Sequence, residues 1–134
     1  MTGHHRHPQV DVERGAIGVF LAVLAGRTQI AEGAVQEAAR AAAREASLAR
    51  DAATAAALAG AQAERTLAAQ DLRCQRTTVD VDTAGFQAPP GRSGDVTVTI
   101  ACVVGMADLL APGLPGAVTV EAPFTSPVDA YRER

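Results

Sequence analysis

Two hydrophobic rhythms divide the chain. An uncharged stretch, GAIGVFLAVLAG, runs from Gly15 to Gly26 and is closed by Arg14 and Arg27. Arg27 to Asp71 is then mostly alanine, with arginine and glutamate at intervals and no proline, a composition of high helix propensity. From Cys74 onward alanine thins and the pattern changes to alternation. Thr77–Asp82 reads TTVDVD, Asp95–Val103 reads DVTVTIACV, and Ala117–Phe124 reads AVTVEAPF. Period-2 alternation of valine with threonine and aspartate marks strands with one buried face.

These rhythms predict a helical half followed by a strand half. The helix is expected to start near Gly15 and to break at Gly60, giving helices near 16–59 and 61–71, because glycine costs up to about 1 kcal/mol relative to alanine. Residues 1–14, polar and containing Pro8, read as a disordered tail. The segment 15–72 is then the Ala-rich helical part with an apolar start, and 73–134 the β-rich part of the same domain. Short loops with Pro-Gly punctuation make a three-stranded antiparallel meander the simplest sheet. One helical turn is expected in Ala107–Gly116. A sheet of three strands needs a cover, and the long Ala-rich helix is the only candidate. The fold class expected is therefore α+β, a long Ala-rich N-terminal helix on a small three-stranded antiparallel sheet.

Within the helix, Ala34, Ala38, Ala42 and Ala46 recur every four residues. A row of such small side chains lets another helix or a sheet approach the backbone closely. Compositional drift towards alanine would produce the same row. Glu37 is spaced to share a face with Arg40 and Arg44.

Cys74 and Cys102 admit two readings: a bridge in an oxidising compartment, or two buried thiols in the cytosol. A hairpin centred on Ala88 would set them opposite each other and favours the bridge. That centre conflicts with the valines. Val79 and Val81 share a face with Val96, Val98 and Ile100 only if the paired residue numbers have an odd sum, such as 79 with 98. A bulge, or a Cys74 lying just outside the strand, reconciles the two.

Composition removes much chemistry. The 134 residues include 30 alanines and 12 arginines but no lysine, asparagine or tryptophan, and His4, His5 and His7 are the only histidines. The folded part therefore offers no histidine base or ligand and no lysine for a Schiff base or a phosphate loop. A net charge of -3 without a basic block argues against nucleic acid as a partner. No cofactor, metal or small-molecule substrate is expected. HHRH lies in the tail without a carboxylate or thiol partner. Asp80, Asp82 and Asp95 read as a solvated strand face rather than a calcium site. Glu32, Glu37 and Glu45 read as solubilising charges, and Gly91-Arg92-Ser93-Gly94 lacks the context of a nucleophile elbow. Phe124 and Tyr131 are expected to pack the C-terminal segment down.

The apolar run, twelve residues long from Gly15 to Gly26, would rise about 18 Å as a helix against a hydrocarbon core of about 30 Å. Alone it is too short to span, so stable anchoring is expected to need partner subunits. It also fits the h-region of a signal peptide, with Val23-Leu24-Ala25 as a cleavage site, or the end of an ordinary buried helix.

Several pieces in order carry a resemblance. They are Glu13-Arg14-Gly15 before the apolar run, GRTQIAEGAVQEAARAAAREASLAR, Leu72-Arg73-Cys74, VDVDTAGF, VTVTIAC, DLLAPGLPGAVTV and the ending FTSPVDAYRER. Together they resemble the TadE/TadG-like pilus-assembly proteins of the tight-adherence (Flp-type) system, in its actinobacterial form. The resemblance implies a non-catalytic, pilin-like minor subunit. Its apolar helix would sit in the membrane, its small domain would lie outside the cytoplasmic membrane, and its partners would be other pilus or secretion subunits. It also implies processing between Gly15 and Ala16. Phe20 stands where pilin-like segments often carry a glutamate, and the apolar run is about ten residues shorter than family anchors. The alternative function is a secreted soluble α+β binding module, released by cleavage near Ala25.

Overall fold

Alanine carries the first helix further in both directions than the glycines suggest. The computed structural model describes residues 8–89, 91–92 and 94–128, with side chains from Val12 onward. Helix α1 runs Pro8–Ser47, 40 residues through Gly15, Gly18, Gly26 and Gly33 without a break. The stretch 8–14, expected to be tail, is therefore its first two turns. Proline suits this position, because a first-turn residue has no intrahelical use for its N–H.

The break falls at residues 48–51, not at Gly60. The Ser47 hydroxyl donates to the Arg44 carbonyl at 2.7 Å. The N–H groups of Leu48 and Ala49 bond three residues back, tightening the last turn. Asp51 then restarts the chain as an N-cap, its carboxylate accepting from the Thr54 N–H at 2.8 Å. Helix α2 spans Ala52–Ala69 and passes through Gly60. Packing of Ala55, Ala59, Ala63 and Leu67, all buried, outweighs the glycine's propensity cost. The α2 C-terminus closes with Asp71 N–H on Ala68 O and Leu72 N–H on Leu67 O. This paired closure places Asp71 in the left-handed region, with φ of 57°.

The connection between the helices is four residues long, so α2 folds back along α1. At 1.5 Å per residue α2 is roughly 27 Å long, about the length of α1 from Ala31 to Ser47. Burial in α1 follows that match. Ala31, Ala34, Val35, Ala38, Ala39, Ala42, Ala43 and Ala46 are buried, whereas Val12 to Val23 are all exposed.

Strands β1 (Arg76–Asp82), β2 (Gly94–Gly105) and β3 (Ala117–Val128) form an antiparallel sheet in the order β1-β2-β3. Val79 pairs with Ile100 and Val81 with Val98. The pair sum is thus odd, and the valines share a face as the alternation requires; the hairpin is not centred on Ala88. Even-numbered residues of β2 (Val96, Val98, Ile100, Cys102 and Val104) are sealed beneath the helices. Val120, Ala122, Ser126 and Val128 of β3 continue that face. The opposite face is polar, with Thr97 and Thr125 hydroxyls hydrogen-bonded at 2.8 Å. Pro123 and Pro127 share parity on edge strand β3, so their missing N–H groups fall on the open edge, where no ladder bond is lost.

Two short elements complete the fold. A 3₁₀ turn at Ala84–Gln87 buries Phe86, and a single helical turn, α3, at Met106–Leu109 buries Leu109. Gly85 and Gly94 touch backbone to backbone, and a Cβ on either would collide with the other's segment. The whole is an α+β fold: a helical hairpin, one arm much longer than the other, laid on a three-stranded meander.

Cys74 and Cys102 are bonded, with Cα atoms 5.3 Å apart. Cys74 lies two residues ahead of β1, outside the ladder, while Thr77 is the strand partner of Cys102. The Gln75 N–H donates to the Val103 carbonyl at 2.7 Å and holds that approach in place.

Candidate functional site

The Ala-rich half of α1 is committed to the molecule's own core. Ala38, Ala42 and Ala46 are fully buried and Ala34 nearly so. The row is an intramolecular interface, where α1 meets α2 and the sheet, and is closed to a neighbouring subunit. A second row, Ala55, Ala59 and Ala63, stands at the same four-residue spacing on α2. The two rows together explain how the hairpin closes tightly. The α2 row was legible in the sequence, as the same period leading into Leu67.

Among the described residues, the other half of α1 is mostly exposed, with Leu24 packed against the core. From Pro8 to Ile30 it extends roughly 34 Å at 1.5 Å per residue. Ile17, Val19, Phe20 and Leu21 are each more than half exposed, and Ile30 is 74% exposed. Among the described residues, these large apolar side chains stand exposed on several sides of the helix. The helix contains an 18-residue window of mean hydropathy 1.2 with at most two charged residues, long and apolar enough to cross a membrane. The twelve-residue limit suggested by the uncharged run is thus not the limit of the helix. Gly15 and Ala16, the expected processing site, are exposed on this half. Phe20 is 55% exposed one turn further on.

A cavity of about 430 Å³ opens where the two halves of α1 meet. Its origin is the length match described above. The end of α2 returns to the level of Arg27–Ala34, while Val104 at the end of β2 and Leu109 of α3 close the sheet side. Buried Ala31, Ala34, Val104 and Leu109 form an apolar floor. Arg27, Arg73, Asp71 and Asp108 bring two charges of each sign to the exposed mouth. Among the described residues, these four side chains carry no ion pair with one another; the Glu37–Arg40 pair at 3.2 Å lies elsewhere on α1. Sequence reasoning missed this constellation, because its members are scattered over four elements with no common spacing.

The remaining candidates fall apart in space or into structure. Asp80 and Asp82 are exposed on β1 opposite Thr99 and Thr97. Among the described residues no three His, Cys, Asp or Glu side chains group to hold a metal ion. Glu37 pairs with Arg40 as its spacing suggests, and the Arg40 guanidinium lies 5.6 Å from the Phe124 ring centroid, tying α1 to β3. Asp51 is the one described titratable group with a resolved shift, its carboxyl held below 3.8 by the Thr54 N–H. His4, His5, His7 and Tyr131 lie outside the described residues.

Comparison with known proteins adds no relative: no family model, no curated protein and no solved structure matches the chain.

Proposed function

We propose that this protein is a non-catalytic, membrane-anchored subunit of an extracytoplasmic assembly, in the manner of the minor pilins that its sequence resembles. One observation carries the reading: α1 is a single helix whose second half is locked into a small domain and whose first half is apolar and uncovered. That construction couples the domain rigidly to whatever solvates the first half. A bilayer is the environment that suits a helix apolar on all sides. Arg14 and Arg27 bound the uncharged run of about 18 Å; their long stems can lie along apolar surface while the guanidinium groups reach towards headgroups, which lengthens the segment a bilayer can hold. The disulfide supports an oxidising location for the domain. The described residues contain neither histidine nor lysine, which supports a scaffolding role over acid–base or Schiff-base chemistry.

A soluble, secreted module is the second reading, and burial favours it in one respect. Among the described residues every buried one lies beyond Ala25, so a cut there would keep the buried core and remove only the half-buried Leu24 packed against it. Fractionation of producing cells, with the mass of the mature protein, separates the two. The expected result is retention in the membrane pellet after carbonate washing, an oxidised Cys74–Cys102 pair, and a mature chain that is intact or starts at Ala16. A soluble product starting near residue 26 would replace the anchored reading with the secreted one. Two reactive thiols in a cytoplasmic fraction would overturn both. The assembly role is tested by deleting the gene: surface filaments or secretion through the apparatus should be lost, and unchanged levels of both would refute it.

A further inference from the structure

We propose that the cavity at the base of the projecting helix is a phospholipid headgroup site, built for a phosphodiester that carries a primary ammonium. The inference rests on the anchored reading and deepens it. Arg27 both ends the uncharged run and lines the cavity. With the uncharged run seated in a bilayer up to Arg27, the mouth lies at the level of the headgroups. Nothing else in the fold has to move for this.

The chemistry of the mouth then selects the headgroup. Arg27 and Arg73 present planar guanidinium forks, the groups best suited to phosphate oxygens. Asp71 and Asp108 present carboxylates that accept hydrogen bonds from an ammonium. Two charges of each sign match a zwitterion, whereas a purely anionic headgroup would leave both carboxylates facing like charge. Beneath them the floor of Ala31, Ala34, Val104 and Leu109 is apolar and suits the glycerol and first methylenes of the same lipid. The volume falls in the ordinary range of small-molecule sites, about 300–1,000 Å³. Asp71 has a left-handed backbone that glycine adopts more readily, yet the chain places a carboxylate there, at the mouth.

The test uses the full chain reconstituted in phosphatidylcholine vesicles, alone or with one-third phosphatidylethanolamine or phosphatidylglycerol. Carbonate-resistant retention reports the anchor, and native mass spectrometry after gentle detergent extraction reports bound lipid. Retention is expected in all three compositions. Phosphatidylethanolamine adducts should exceed those of the other two lipids by at least fivefold. Arg73→Gln and Asp108→Asn, both beyond the anchor, should abolish that preference while leaving retention and the thermal midpoint within error. Retention without lipid preference, or a preference unmoved by both variants, would overturn the headgroup site and leave the anchor standing. Loss of retention in every composition would overturn the anchored reading and the lipid site with it. Soluble phosphoethanolamine and inorganic phosphate form the last arms. Displacement of the lipid by phosphate alone at equal concentration would overturn the zwitterion assignment in favour of a simple anion site. Displacement by phosphoethanolamine but not by phosphate is the expected outcome.

Discussion

Opening the Cys74–Cys102 bond should remove a large share of the domain's stability. The two residues are separated by 28 positions, and the chain-entropy relation for a loop of that length gives about 3.6 kcal/mol at 25 °C. A single domain holds about 5–15 kcal/mol in total, so the reduced protein should remain folded with a much smaller margin. The native register should survive, because Val79 and Val81 face Val98 and Ile100 whether or not the bond is present. The loss is therefore expected mainly through a freer unfolded chain. Urea unfolding of oxidised and reduced protein measures it. With an m-value of about 1–3 kcal/mol/M, the midpoint should fall by about 1.2–3.6 M, and m itself should rise because the reduced chain unfolds further. A Cys74→Ala/Cys102→Ala double variant should fall slightly lower still, since Cys102 is fully buried and alanine leaves a gap there. A reduced protein within about 1 kcal/mol of the oxidised one, with m unchanged, would show that the unfolded chain is already constrained between these residues and would refute the reasoning.

Three further outcomes follow from the helices. Ala42→Leu inserts three carbons where α1 meets its neighbours with no exposed surface; it should cost about 1–3 kcal/mol by overpacking in urea unfolding, against less than about 0.5 for Leu at exposed Gln36. Gly60→Ala meets nothing within 4 Å of the new Cβ and should stabilise by about 0.4–1 kcal/mol through the unfolded chain and helix propensity, read as a raised thermal midpoint. The Asp51 carboxyl is held below its ordinary value of 3.8 by the Thr54 N–H; its stabilising contribution is complete above that value and lost as pH falls through the lower folded one, so an unfolding series from about pH 6 to about pH 2 should show an acid-limb loss that Asp51→Asn flattens.

What was legible in the sequence, and what was not, follows the range of the forces involved. Alternating valines announced three strands, and their parity fixed the face each shares with its neighbour, because a strand's side-chain period leaves no choice once one face is buried. The same parity exposed the false centre at Ala88: the bond needs only that Cys74 lie near Cys102, and a residue outside the ladder meets that condition without obeying the register. The helix break is displaced from Gly60 for a comparable reason. Gly60 has a poor local propensity, but α2 packs its alanine row tightly on either side of it, and tertiary burial outweighed roughly 1 kcal/mol of propensity. The competing signal was also local: Asp51 ahead of an alanine run, with Thr54 placed to donate to it, is a helix start. The cavity was invisible because it is a product of lengths. It exists where an α2 of 18 residues runs out alongside an α1 of 40, and the residues at its mouth were recruited from wherever the chain passed that level. The unequal helices thus account for both candidate features. The excess length of α1 leaves an apolar stretch largely exposed among the described residues, and the end of α2 opens a charged pocket beside the point where that stretch begins. If the stretch is held in a bilayer, the pocket has one solvent to read, and its paired charges of opposite sign are matched to the headgroups rather than to the core or to water.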